Sequence, residues 1–122
     1  MTKECDVERQ RSFQDLLDLT REVAHGFDAR ERRPWTVEVL LIELVKQVGD
    51  LSRHVMVAEG YYLPDRDSEP RYATTRDDIA DELADILHAT MRLSDYYEIN
   101  LEEAHVVARQ RELGYLLGDS TE

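Results

Sequence analysis

Apolar residues recur at helical spacing over two long stretches, and that period limits the fold more than any other feature. Val37, Leu41, Leu44, Val48, Leu51 and Val55 fall on one side of a helix at ~100° per residue. Ile79, Leu83, Ile86, Thr90 and Leu93 do the same further along. Strand-period alternation is absent, and five glycines with three prolines leave little room for hairpins. The period therefore predicts an all-α chain, a four-helix bundle in one domain spanning residues 1–122.

Start and stop signals place the four helices. The first is expected over about 7–27 (Val7 to Phe27), with Phe13, Leu16, Leu17, Leu19 and Val23 as its apolar side. A charged connector, "DARERRP", leads to Pro34. Thr36 then caps a second helix over 37–57, with Trp35 and Leu40 placed as a hydrophobic staple. Residues 60–74 form a long loop holding Pro64 and Pro70, and loops of this length are often functional. Thr75 caps a third helix over 76–97, with Asp78 completing a capping box. Asn100 caps a fourth over 101–117, and Glu103 stands where a second box would close.

Carboxylates crowd the borders of the two long apolar stripes. On the second helix Glu43, Gln47, Asp50 and His54 form a polar strip beside the stripe rather than opposite it. On the third, Asp78, Glu82 and Asp85 line the border at i, i+4 and i+7. Antiparallel packing through the apolar stripes brings these borders within reach of each other. Facing carboxylates repel, and burial disfavours their charged form. A divalent cation relieves both costs, and Mg²⁺ prefers carboxylate oxygens with waters and phosphate completing its shell. A solvated acidic face is the plainer explanation, and helix-dipole complementarity accounts well for Asp77, Asp78 and Asp81. It accounts less well for Glu82 and Asp85, which sit inside the helix at the core boundary.

Bulk properties exclude several classes. A formal net charge of −12 argues against nucleic acid as a partner. Cys5 is the single cysteine, too few for an internal disulfide or a zinc cluster. The four histidines (His25, His54, His88 and His105) lack metal-ligand spacing such as HExxH. No apolar run approaches ~18 residues, so no membrane span is expected. The opening "MTKECDVERQ" has no apolar signal-peptide core, so the expectation is a cytoplasmic protein.

The segments "ELVKQVGDLSRHV" and "DELADILHATMRLSDYYEINLEEA" resemble the MazG-like all-α nucleotide pyrophosphohydrolases, over roughly residues 10–116. That family carries a helix reading about EExGEL, then one reading EELADxL, then a turn like GIDLEEA. "RRPW" is similar to the family's approach to its second helix. The "ELAD" of this chain keeps both acids of the family's ExxD pair, Glu82 and Asp85. The ExxE pair falls on Gln47 and Asp50, and the acid before it on Lys46. Gln47 loses the charge but keeps an amide oxygen, and Glu43, one turn earlier, stands where it can compensate.

The resemblance implies hydrolysis of a nucleoside triphosphate between its α and β phosphates, in a homodimer or homotetramer. It implies Mg²⁺, with Mn²⁺ as a substitute, held by Asp50, Glu82 and Asp85, with Glu43 and Gln47 as weaker or indirect ligands. Asp50, Glu82 and Asp85 are then the catalytic set. Substrate contacts are expected from Trp35, stacking on a base, from His54 and Arg92 near phosphate, and from Arg109 and Arg111 in the basic segment "ARQRELGY". Each has a plainer reading: Trp35 as a staple, His54 as a partly exposed helix histidine, Arg92 in an intrahelical ion pair. Lys46 and Arg53 are expected to be solvated, Tyr96 and Tyr97 to serve packing, and Arg66 and Arg71 to have the reach to close over a ligand. Two other functions compete with the enzyme: a catalytically lapsed nucleotide- or cation-binding regulator, and a purely structural helical oligomer.

Overall fold

The computed structural model describes residues 10–66 and 68–118. Four α-helices follow in order: α1 (Phe13–Asp28), α2 (Val37–Ala58), α3 (Arg76–Tyr96) and α4 (Leu101–Leu116). Two short 3-10 turns, Pro64–Arg66 and Pro70–Tyr72, interrupt the loop between α2 and α3. No strand occurs among the described residues. No helix among them is long and apolar enough to cross a membrane.

Side-chain caps explain the helix starts. Ser12 and Asp15 form a reciprocal capping box that opens α1 at Phe13. The start expected at Val7 lies outside the described residues, and Gln10 to Ser12 are not helical. Thr36 accepts from the Val39 amide to open α2. Thr75 and Asp78 close the expected box on α3. Asn100 accepts from the Glu103 amide, but α4 lacks the reciprocal half of the expected box. Two ends use the left-handed region. Gly60 closes α2 at φ +76°, where the Tyr61 amide reaches the Met56 carbonyl at 3.0 Å. Glu98 does the same for α3 at φ +53°, with the Ile99 amide 2.8 Å from the Ser94 carbonyl.

The packed unit is α1, α2 and α3. Helices α2 and α3 form the main interface, and α1 lies along α3. Thr20 of α1 donates to the Met91 sulfur at 3.3 Å, and Arg21 makes a bidentate pair with Asp95 at 2.8 Å for each bond. That pairing raises the Arg21 pKa, first through the hydrogen bond to Asp95 and then through its charge. Buried apolar residues are Leu17, Leu40, Tyr72, Ala89 and Met91, with His54 and Ser94 buried beside them. Tyr72 anchors the loop. Tyr62 meets its ring edge-on at 4.9 Å, the Arg66 and Arg71 guanidinium groups lie over it, and Arg66 donates to its hydroxyl.

Two expectations need correction. The buried side of α2 is rotated toward the polar strip: Leu40, Leu44, Leu51 and His54 turn inward, while Leu41, Val48 and Val55 of the expected stripe are exposed. Leu83 of α3, and Leu19 and Val23 of α1, are exposed as well. Helix α4 buries none of its residues and does not pack closely on the other three. Among the described residues the bundle is thus three packed helices with a fourth standing apart.

Candidate functional site

The two polar borders do face each other across the α2–α3 interface. At one end, His54 of α2 is 8% exposed. Its Nδ1 lies 2.8 Å from the Thr74 hydroxyl, and its Nε2 lies 3.6 Å from Glu82 Oε2. The other Glu82 oxygen, Oε1, is buried with no hydrogen-bond partner. His54 is thus an interior group rather than the partly exposed one expected.

Toward the other end, a pocket of about 380 Å³ opens between the helices. Glu43 and Gln47 line it from α2, Asp85, His88, Ala89 and Arg92 from α3, and Phe27, Glu31, Trp35 and Leu40 from the region joining α1 to α2. Gln47 donates its amide N–H to Glu43 at 2.8 Å, which leaves its amide oxygen without a bond. Lys46 Nζ lies 3.7 Å from both Glu43 and Asp50, so this lysine bridges the strip instead of being merely solvated. Arg53, also expected to be solvated, is half-buried and donates to the Arg71 carbonyl, tying the loop to α2.

Arg92 pairs across the fold with Asp28 at 3.1 Å rather than within its own helix, and its guanidinium lies 5.5 Å from the centre of the Trp35 ring. Trp35 and Leu40 line the same pocket, so the staple position and a ligand-facing position coincide. Arg109 pairs with Glu112 at 2.7 Å on α4, and neither it nor Arg111 lines this pocket. Arg66 and Arg71 are engaged with Tyr72 rather than free to close over a ligand. Tyr96 and Tyr97 stack edge-on at 4.9 Å while both stay exposed.

Three contributors escaped the sequence reading. His88 follows Asp85 by one helical turn, so periodicity alone could have placed it beside the acids. Burial lowers its pKa, the charge of Arg92 lowers it further, and Asp85 opposes both. Thr74 sits in the loop before α3, and only the tertiary fold brings it to His54. Glu31 lies in the charged connector, where nothing local distinguishes it from the solvated acids nearby; its Oε1 is buried without a partner.

Among the described residues, no group of three or more His, Cys, Asp or Glu side chains is placed to hold a metal ion by itself. Oxygen donors from both strips nevertheless border one interhelical space. Chemically, the arrangement offers carboxylate and amide oxygens at one end of a pocket and an aromatic ring with a guanidinium at the other. The chain matches no family model, and no curated protein and no solved structure is significantly similar to it.

Proposed function

We propose that this chain is a MazG-like nucleoside triphosphate pyrophosphohydrolase working with Mg²⁺ or Mn²⁺ in the cytoplasm. It hydrolyses the α–β phosphoanhydride to a monophosphate and pyrophosphate, water supplying hydroxyl to one product and a proton to the other. One observation carries this reading: the acid-bordered faces of α2 and α3 meet, leaving Glu82 Oε1 buried and unpartnered. A buried acceptor without a partner costs about 1–3 kcal/mol, and an oxygen-seeking cation would relieve it.

Among the described residues the acids are not gathered into a ready metal site, so such a cation would rest on few protein contacts at a time. Glu82 offers its orphaned oxygen, Gln47 its free amide oxygen, and Asp50 and Asp85 their carboxylates. Mg²⁺ typically takes one or two protein carboxylates and completes its shell with water and substrate phosphate, so a preformed cage is not required. When bound, the ion neutralises phosphate charge and makes the attacking water more acidic. His54 Nε2 lies 3.6 Å from Glu82, and Glu43 orients the Gln47 amide through its hydrogen bond. Asp85 opens into the pocket beside His88, and Arg92 brings positive charge to its far side.

A second reading, binding without turnover, has its own support. Lys46 already carries a positive charge to both Glu43 and Asp50, which reduces the need for a metal. The test is pyrophosphate release from a panel of common and damaged nucleoside triphosphates, with Mg²⁺, Mn²⁺ or chelator. Metal-dependent release that disappears in Glu82→Ala supports the enzyme, and Gln47→Glu should then raise the rate. No release, with Mg²⁺ still raising the melting temperature, favours the binding-only relative. Indifference to both metal and nucleotide favours a structural oligomer.

Self-association belongs to the same proposal. The outer side of α2 presents Ile42 and Val45 at 64% and 63% exposure, beside Leu41 and Val48. A second copy of the chain covering this face and α4 gives a homodimer or homotetramer. Light scattering that returns the monomer mass at micromolar concentration would remove that part of the proposal.

A further inference from the structure

We propose that Glu31 makes the site selective for a nucleobase that presents adjacent N–H donors, the guanine pattern. This rests on the nucleotide reading above and names the substrate it favours. Four residues, Glu31, Trp35, Leu40 and Arg92, line both the 380 Å³ pocket and a neighbouring pocket of about 600 Å³, so they form the junction between the two. The smaller pocket runs from this junction to Gln47 and Asp85. A nucleotide with its phosphates at the Gln47–Asp85 end therefore has its base at the junction. Trp35 offers a surface for stacking there: Arg92 covers one face, yet the residue remains 38% exposed.

Glu31 supplies the selectivity. Its Oε1 is buried and has no hydrogen-bond partner, and Arg92, which lines the same two pockets, is paired with Asp28. A carboxylate only accepts hydrogen bonds. Guanine offers N1–H beside its exocyclic N2 amine, two donors with no acceptor between them. Adenine and cytosine place an amine next to a ring-nitrogen acceptor. Uracil and thymine flank their one N3–H with two carbonyl oxygens, which would face carboxylate lone pairs. A buried polar group left unpaired by the wrong ligand is what gives hydrogen-bonding sites their discrimination.

The experiment uses Trp35 itself, the only tryptophan in the chain, as the reporter. Its fluorescence is titrated with GMP, AMP, CMP and UMP in chelator, so that neither metal nor hydrolysis contributes. GMP is expected to bind about 10- to 100-fold more tightly than UMP, the ratio for one hydrogen bond to a charged group. In Glu31→Gln that ratio should collapse toward unity. Equal binding of all four, no binding of any, or an unchanged ranking in Glu31→Gln overturns the proposal. If Glu31→Gln fails to fold, the wild-type ranking decides, repeated by calorimetry on Trp35→Phe. Failure here is distinct from failure of the hydrolase reading. Pyrophosphate release without base preference leaves that activity standing and removes this inference; guanine-selective binding without release does the reverse.

Discussion

Helices α3 and α4 begin in the same way and come to different ends. Each is opened by a side chain that accepts a hydrogen bond from the third residue of its helix, Thr75 for α3 and Asn100 for α4. Yet α3 buries Ala89, Met91 and Ser94 between its neighbours, while α4 buries nothing. The difference lies in how apolar residues are arranged. On α3 they gather on the sides facing α1 and α2. On α4, Val106, Val107, Leu113 and Leu116 point in several directions and stay exposed. Caps decide where a helix starts, whereas a sided apolar surface decides what it packs against. The carboxylates of the candidate site sit on the helices that have such a surface, and the basic pair Arg109 and Arg111 sits on the one that does not.

The largest expected effect tests the packed half of this contrast. Met91 is 1% exposed and touches α1 through Thr20. Met91→Ala should cost about 2–5 kcal/mol, read from the urea midpoint at unchanged slope. A cost under ~1 kcal/mol, the range of surface changes, would mean that the α1–α3 contact is not a core. Next comes the polar interior. His54→Ala removes the 2.8 Å hydrogen bond to Thr74 and the imidazole 3.6 Å from Glu82, and should cost about 1–3 kcal/mol. Adding Glu82→Leu should recover part of that loss, because removing both members of a buried pair is milder than removing one. Purely additive losses would show that the two side chains do not interact.

How much of this was legible in the sequence follows from which forces are local. The starts of α2, α3 and α4 were legible because Thr36, Thr75 and Asn100 cap through bonds three residues long. The polar strips were legible because helical period alone fixes which residues share a side. The rotation of α2 was not. Its apolar residues wrap from Leu44 round to Ile42, and the partner helix, not the period, selects which of them turn inward. His54 was misjudged for the same reason: its burial depends on Thr74, twenty positions away, and on Glu82 across the interface. Glu31 had no local signature at all. Helical period put Glu82 and Asp85 together at the core boundary of α3, and the structure adds that only Glu82 is sequestered with a histidine.

The joint between α3 and α4 allows a gain rather than a loss. Glu98 holds φ +53°, a conformation that costs an L-residue about 1 kcal/mol or more. Glu98→Gly should stabilise the protein by about 0.5–1 kcal/mol, the smaller figure if the freer unfolded chain offsets the relief. Destabilisation would mean that the Glu98 side chain itself holds α4 in place. A pH effect of separate origin bears on the α3 side. Burial and Arg92 place the His88 pKa below its ordinary 6.5. The unfolded chain then binds the proton more readily than the fold does. Stability from this group is full above pH 6.5 and falls as pH drops toward the folded value. Urea midpoints between pH 7.5 and 5 should therefore decline less in His88→Gln than in wild type.

The smallest effect within a protomer is the one that tests α4 most directly. Leu116 is 74% exposed, so Leu116→Ala should change the stability of an isolated chain by no more than about 0.5 kcal/mol. If a second copy covers α4, the same substitution removes buried area from an interface instead. Its cost then rises toward that of a core leucine, and the melting temperature of the wild type becomes dependent on protein concentration. The two outcomes separate cleanly when Leu116→Ala and Met91→Ala are compared at two concentrations a hundredfold apart. A Met91 loss that is large at both, beside a Leu116 loss that is near zero at both, keeps α4 as a solvated arm. A Leu116 loss that is large at both, with a wild-type melting temperature that rises with concentration, makes α4 part of a core that one chain only half supplies.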